Sequence, residues 1–206
     1  MKIILPLFFV LNLLFSSCGK KQQLHIAIQP FVGVNQVDIE LVKSSLVENY
    51  KAKVDVLTPI EIPENTFVNV KSPRYRADQL IAYLKAQKAD SIDHVLGLIT
   101  KDISTTKQNP DGTVKLPKSK YEDWGIFGLG YRPGASCIVS TFRLSKRRPD
   151  RRSQLIKIAN HEIGHNLGLP HCDRDPNCVM RDAAESIKTI DGVGSTLCDF
   201  CKEDIR

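Results

Sequence analysis

Residues 161–171 of the 206-residue chain read HEIGHNLGLPH, which places three histidines and a glutamate within one short segment. His161 and His165 are four residues apart, so on an α-helix their imidazoles lie on one face, one turn apart, where they can bind one metal ion. Gly168 readily adopts the left-handed conformation that ends a helix, and the chain can then turn and bring in His171 as a third ligand. The segment therefore predicts a helix, a sharp turn and a metal site built from both.

The ligand set indicates a catalytic zinc site rather than a structural one. Three protein ligands leave a fourth coordination position for water, whereas structural zinc sites are closed by four protein ligands. Glu162 directly follows the first ligand, and from there its carboxylate can reach a water molecule at the metal. A bare H-E-x-x-H recurs by chance, but the further match at Gly168 and His171 argues against coincidence. These residues predict a zinc hydrolase.

The first residues of the chain have the pattern of an export signal. Lys2 forms a short basic region, and the apolar run that follows, residues 3–15, is too short to span a membrane comfortably. Small residues then lead into Cys18, in a pattern that resembles a bacterial lipobox. We expect residues 1–17 to be a lipoprotein-type signal peptide, with cleavage before Cys18 and lipid attachment to it. The alternative is an ordinary signal peptide followed by an incidental cysteine.

The rest of the chain, residues 18–206, is expected to form one exported domain that the lipid anchors to the bacterial membrane on its extracytoplasmic side. Its length suits a single domain with a real core, and we expect a monomer. The net charge is +6, and much of the excess lies in residues 143–152. That run has no interleaved aromatic residues beyond Phe142 and no nucleic-acid motif, so we interpret it as a solvated loop and expect no nucleic-acid partner.

Four cysteines, Cys172, Cys178, Cys198 and Cys201, follow the third histidine. The spacing Cys198-x-x-Cys201 is typical of a chelating pair, and the other two can complete a structural zinc site. The alternative is two disulfides, which an exported protein would allow. Cys137 stands apart in an apolar run, and we expect it to be a buried small hydrophobic residue.

The periodicity of apolar residues predicts strands that alternate with helices, which indicates an α/β fold. The predicted strands cover residues 24–31, 53–57, 94–100 and 135–142. The predicted helices cover residues 37–50, with Asn35 as the cap, 77–89 and 153–167. A polar segment, residues 104–123, is expected to be a surface loop. His25 and His94 lie in or next to strands and are interpreted as structural residues.

Taken together, the ligand run, the cysteines and Met180 resemble those of the metzincin zinc metallopeptidases, and among them the archaemetzincins. After His171 the sequence is similar to the archaemetzincin pattern H-C-x4-C-x-M-x17-C-x-x-C, except that five residues separate Cys172 from Cys178. The resemblance implies a metzincin-like zincin with a mixed twisted sheet, an active-site helix and a small C-terminal subdomain stapled by zinc. It also implies that Met180 forms a Met-turn beneath the metal, and that residues 135–141 are the edge strand that holds the substrate.

The resulting hypothesis is a zinc-dependent peptidase that acts on a peptide or protein substrate. His161, His165 and His171 hold the catalytic Zn²⁺, a second Zn²⁺ is structural, and Glu162 is the general base. Two alternatives remain open from the sequence. One is a non-catalytic zinc-binding surface lipoprotein, and the other is a zinc amidohydrolase that acts on a non-protein amide.

Overall fold

The computed structural model describes residues 23–182 and 186–205. The predicted signal peptide and Cys18 lie outside these residues. The strands are β1 (His25–Pro30), β2 (Lys53–Val56), β3 (Phe67–Asn69), β4 (Pro73–Arg76), β5 (His94–Ile99), β6 (Ile103–Thr105), β7 (Trp124–Ile126), β8 (Gly128–Gly130) and β9 (Ser136–Ser140). The helices are α1 (Gln36–Tyr50), α2 (Ala77–Gln87), α3 (Lys118–Tyr121), α4 (Arg148–Asn166), α5 (Ile187–Asp191) and α6 (Asp199–Asp204).

The main sheet has five strands in the order β2-β1-β5-β9-β8. The first four are parallel, and β8 pairs antiparallel with β9. Both faces of β1, β5 and β9 are buried, which is why these three strands are mostly apolar, whereas the outer strand β2 alternates between polar and apolar residues. Ile26 and Ile28 pack on the side of α1 and α4, whereas Ala27 packs on the side of α2. The mixed α/β fold expected from the sequence is confirmed.

The predicted strands and helices all appear, with shifts at their ends. Asn35 caps α1 as expected, since its side chain accepts a hydrogen bond from the backbone N–H of Asp38. Cys137 is fully buried in the core beneath α4, as predicted. His25 bonds Asp55 and the carbonyl of Ser91, and His94 bonds the carbonyl of Gly134. Neither histidine belongs to a cluster of metal-binding side chains among the described residues.

The two edge strands of the main sheet are β2 and β8, so the expectation that residues 135–141 form the edge strand was wrong. β9 occupies that stretch and pairs with β5 on one side and β8 on the other. The physical reason lies in the sequence of β8, which is only Gly-Leu-Gly. Three residues with two glycines give almost no strand signal, so the antiparallel strand outside β9 was not foreseen.

A second sheet, with the order β3-β4-β6-β7, is made from segments for which no strand was predicted. The expected surface loop, residues 104–123, is wrong at both ends. It begins within β6 and ends with α3, although most of its middle is exposed. Short strands between prolines and polar residues carry too little periodicity to be recognised.

Two members of the basic run are structural ion-pair residues, which corrects its interpretation as a solvated loop. Arg143 bonds both carboxylate oxygens of Asp102, at 2.6 and 2.8 Å, and Arg74 bonds the same carboxylate. Arg151 forms a bidentate ion pair with the buried Asp38 of α1, and both of its hydrogen bonds are 2.6 Å long. Sequence patterning cannot reveal partners that lie 41 and 113 residues away along the chain.

Within residues 23–182 and 186–205, none of the helices combines the length and the apolar character needed to cross a membrane.

Candidate metal centre

Helix α4 carries the first half of the candidate site. It begins five residues earlier than the predicted start at residue 153, because Pro149 occupies its first turn and Asp150 lies beside it. Leu155, Ala159 and Ile163 are fully buried against the main sheet. Since this stripe fixes the rotation of the helix, it also fixes the direction in which the neighbouring polar face points.

The end of α4 is a Schellman motif. Gly168 has a φ of +95°, its N–H bonds the carbonyl of His165 at 2.9 Å, and the N–H of Leu169 bonds the carbonyl of Gly164 at 3.0 Å. This left-handed turn reverses the chain within three residues and directs it back towards the helix. The predicted role of Gly168 is confirmed.

The turn brings the three histidines together. His161, His165 and His171 each offer a ring nitrogen, and these atoms lie within 4.8 Å of one another. The ring centroids are 4.5 Å apart for the two histidines of the helix, and 5.4 and 5.0 Å from them to His171. Imidazole nitrogens at this spacing are a donor set that suits zinc and leaves one side of the site open.

Backbone carbonyls orient the two helical imidazoles. Nδ1 of His161 lies 2.8 Å from the carbonyl oxygen of Val179, and Nδ1 of His165 lies 2.9 Å from that of Leu169. A carbonyl can only accept, so Nδ1 carries the proton and Nε2 keeps its lone pair for a metal. Burial, helped by the neighbouring histidines, lowers the pKa of His161 to about 4 and also lowers that of His165. Both rings are therefore neutral, as metal ligands must be, at pH 7.

Glu162 is buried between α4 and the edge strand β8. Burial raises its pKa to about 8, and a hydrogen bond from the backbone N–H of Gly130 opposes this shift. The positive charge of a nearby metal ion would lower the pKa further. A Cβ atom at Gly128 would lie 2.8 Å from Oε1 of Glu162, and one at Gly130 would lie 2.7 Å from its carbonyl oxygen. Neither glycine was predicted as a site residue, because their only signal in the sequence is a G-x-G in an apolar stretch.

Met180 packs against α4 at Gly164, which lies between the two histidines of the helix. It is fully buried, and a Cβ atom at Gly164 would lie only 2.3 Å from its sulfur. Gly164 immediately precedes His165, so the methionine sits close below the face that carries the imidazoles. Gly164 was not predicted as a site residue, although a small residue between the two histidines was the available signal.

The four cysteines form a second cluster in the C-terminal part of the chain. Their sulfur atoms lie within 4.8 Å of one another, with 3.8 Å between Cys172 and Cys198 and 3.7 Å between Cys178 and Cys201. A disulfide requires about 2.05 Å, whereas four thiolates around one zinc at about 2.3 Å are separated by about 3.8 Å. The geometry therefore suits a four-cysteine zinc site and not two disulfides.

The additional residue between Cys172 and Cys178 is accommodated by a local turn. The N–H of Asn177 bonds the side chain of Asp175 at 2.8 Å, and the N–H of Cys178 bonds the carbonyl of Asp175 at 3.1 Å. Beyond the turn, Cys172 and Met180 are held together by a backbone hydrogen bond of 2.8 Å. The same short segment thus joins the cysteine cluster to the floor of the histidine cluster.

A cavity of about 60 Å³ opens beside the histidines. One wall is the edge segment with Phe127 and Gly128, and another is the face of α4 that carries Lys157 and Glu162. The lining is apolar except for residues of α4. A buried carboxyl, three converging imidazoles and an adjoining apolar cavity are a combination that can bind and hydrolyse an amide.

Comparison with known proteins agrees with this geometry. Residues 35–206 match the profile of Peptidase family M54. The chain is 30% identical over 182 residues to an archaemetzincin of Archaeoglobus fulgidus, a match that covers 88% of this chain and 98% of that protein. It is 28% identical over 172 residues to an archaemetzincin of Halobacterium salinarum, covering 79% and 88%.

Solved structures give the same result. The archaemetzincin of Methanopyrus kandleri has a TM-score of 0.72 and 25% identity, and the match covers 89% of this chain and 93% of that one. The archaemetzincin of A. fulgidus, solved in complex with malonate, has a TM-score of 0.68 and 28% identity, covering 87% and 99%. On this combined agreement of sequence, fold and site, the chain belongs to peptidase family M54 and is a zinc metallopeptidase of the archaemetzincin type.

Proposed function

We propose that His161, His165 and His171 hold a catalytic zinc ion and that Glu162 moves the proton during hydrolysis of a peptide bond. The observation that carries the proposal is the convergence of three imidazoles next to a buried carboxyl at the mouth of a cavity. Zinc in such a site supplies Lewis-acid chemistry, since it makes water more acidic and stabilises negative charge on oxygen.

The residues of the chain supply positioning and proton transfer. Glu162 takes a proton from the attacking water as it adds to the carbonyl carbon, and then delivers that proton to the leaving amine. Its neighbours Gly128 and Gly130 allow β8 to approach the carboxyl closely, which excludes bulk water from that side. The carbonyls of Val179 and Leu169 keep the two helical imidazoles aimed at the metal.

The exposed side of β8 offers a binding surface for the substrate backbone. As an edge strand of the main sheet, β8 pairs with β9 on one side, so its other side can pair with an extended peptide. The bond to be cleaved would then pass over Glu162, which touches both glycines of β8.

We also propose that Cys172, Cys178, Cys198 and Cys201 hold one structural zinc ion. The sulfur–sulfur distances of 3.7 and 3.8 Å support this assignment. Metal analysis of the purified protein should then give two zinc ions per chain, and a single ion would mean that one of the two clusters is misassigned.

The proposal further places the domain outside the cytoplasm as a monomer held to the membrane by lipid on Cys18. Support comes from the apolar run and the small residues that precede Cys18, and from the fact that one chain provides every residue of both clusters. Mass spectrometry of the N-terminal peptide, with a Cys18→Ala variant as control, tests the lipid. A mature protein that is found in the aqueous phase without detergent would contradict it.

The catalytic proposal is tested with Glu162→Gln. The variant should retain zinc, because no ligand is lost, and should lose cleavage of a mixed peptide library. Glu48→Gln, which alters an exposed glutamate of α1, is the matched control and should cleave like the wild type. A chelator should abolish cleavage by both active proteins. Full activity of Glu162→Gln would refute the assigned role.

A further inference from the structure

One charged group in the cavity beside the histidines takes no part in the proposed chemistry. Lys157 lies four residues before His161 on α4, so its side chain stands one turn away on the same face of the helix. Its ammonium donates to the carbonyls of Ile190 and Asp191, both at 3.1 Å, and the residue also lines the cavity. Two of the three N–H groups of the ammonium therefore have acceptors within the protein.

The ammonium of Lys157 bonds only neutral carbonyls, and no carboxylate in the described part of the chain forms an ion pair with it. The carboxylate of Asp191, whose carbonyl is one of the two partners, bonds the side-chain amide of Gln154 instead. The side chain of Lys157 is only half-exposed, and the rest of the cavity wall near it is apolar. A half-buried cation in such surroundings attracts an anionic group, since a charge-assisted bond there is stronger than one in water.

The size of the cavity limits what can reach Lys157. One water molecule needs about 10–15 Å³ of free cavity volume. A cavity of about 60 Å³ therefore has room for about four to six water molecules. Since each water molecule has one heavy atom, a side chain of similar size, such as leucine, methionine or glutamate, fits the same volume. The small volume favours a side chain of this length, and the ammonium disfavours a lysine extended against it.

The position of Glu162 shows which side of the cleaved bond the cavity serves. This inference rests on the proposed function, in which Glu162 delivers the proton to the leaving amine. Because Glu162 lines the cavity, the cavity lies on the side of the leaving amine. It therefore receives the side chain of the residue that directly follows the cleaved bond.

We propose that Lys157 makes the enzyme select substrates with a glutamate directly after the cleaved bond. The carboxylate of that glutamate accepts the third N–H of the ammonium, while its two methylene groups contact Phe127 and Ile158 in the apolar part of the cavity. The substrate class is thus acidic peptides cleaved on the amino side of glutamate.

The experiment uses the zinc-loaded protein and matched peptides that differ only in the residue after the cleaved bond, which is Glu, Gln, Leu or Lys. The wild type should cleave the Glu peptide with a kcat/KM at least about tenfold above that of the Gln peptide, as a charge-assisted contact provides. Lys157→Met should reduce the Glu-to-Gln ratio to near one, while Lys157→Arg should retain most of it.

Lys88 offers a matched control, since it is also half-buried and also donates to two carbonyls, those of Ala89 and Ile92, away from the cavity. Lys88→Met should leave the Glu-to-Gln ratio unchanged. A second readout does not depend on turnover. In the Glu162→Gln background, fluorescence anisotropy of the labelled, uncleaved peptides should show the same order of affinity, and the order should vanish when Lys157→Met is added.

The outcomes separate the two proposals. If no peptide is cleaved by the zinc-loaded wild type, the proposed function fails. If peptides are cleaved but the Glu-to-Gln ratio is near one, or if Lys157→Met lowers only the thermal stability and leaves the ratio as it was, the inference fails and Lys157 serves only to hold α5 in place.

Discussion

The contact between Gly164 and Met180 makes a quantitative prediction about the floor of the metal centre. In Gly164→Ala, the new Cβ atom would stand 2.3 Å from the methionine sulfur and 3.0 Å from its terminal methyl carbon. Met180 is fully buried, so the side chain cannot swing into solvent to make room. Overpacking of this kind costs about 1–3 kcal/mol, although alanine in a helix interior is intrinsically favoured over glycine by about 1 kcal/mol.

The change that Gly164→Ala makes to the free energy of unfolding should have the opposite sign when Met180 is replaced by alanine. In the Met180→Ala background the nearest remaining atom is the hydroxyl oxygen of Tyr50, at 3.3 Å, so Gly164→Ala should raise the free energy of unfolding by up to about 1 kcal/mol. In the wild-type background Gly164→Ala should lower the free energy of unfolding by up to about 2 kcal/mol, which corresponds to a melting temperature lower by up to about 8 °C for a domain of this size. The coupling free energy between the two sites should therefore be about 1–3 kcal/mol.

The assay is denaturant unfolding of the zinc-loaded protein and its variants, analysed as a double-mutant cycle. Gly192→Ala is the matched control, because its Cβ atom would meet nothing closer than 3.6 Å and its backbone is right-handed helical. That variant should change the stability by no more than about 0.5 kcal/mol. Additive effects of Gly164→Ala and Met180→Ala would refute the reasoning, since they would show that the two residues do not touch.

Three further predictions follow from the two clusters. His171→Ala leaves two protein ligands at the histidine site, so its zinc affinity should fall by at least about 100-fold in competition with a chelating dye, while the cysteine site stays loaded. Cys201→Ser should lower the zinc content by one ion per chain and make the C-terminal region sensitive to proteolysis, and an unchanged content would exclude Cys201 as a ligand. Burial raises the pKa of Glu162 from 4.5 to about 8. After zinc is removed from the histidine site, the wild type should therefore lose stability relative to Glu162→Gln as the pH rises from 4.5 to 8. The loss should be on the order of 3–5 kcal/mol in urea unfolding, because the unfolded carboxyl ionises first. Parallel pH profiles of the two proteins would contradict the burial of this carboxyl.

The sequence predicted the parts of the molecule whose signals are local. The spacing of His161 and His165, and the glycine that ends their helix, are properties of eleven consecutive residues. The inner parallel strands β1, β5 and β9 are mostly apolar because both of their faces are buried, and such runs are recognisable without knowing their partners.

The parts that were not foreseen depend on contacts between distant residues. β8 is three residues long and exists because it pairs with β9 and passes over Glu162. Arg143 reads as one more charge in a basic run until the fold brings Asp102 within 2.6 Å of it. The closeness of Gly164 to Met180 likewise arises only when the chain after His171 folds back under α4.

The most direct test of the account is X-ray anomalous scattering from crystals of the purified protein, recorded on both sides of the zinc absorption edge. We predict two zinc peaks per chain. One should lie about 2.0–2.1 Å from a ring nitrogen of each of His161, His165 and His171, and the other about 2.3 Å from the four cysteine sulfurs. The absence of a zinc peak among the three imidazoles, in protein that cleaves peptides, would contradict the central claim.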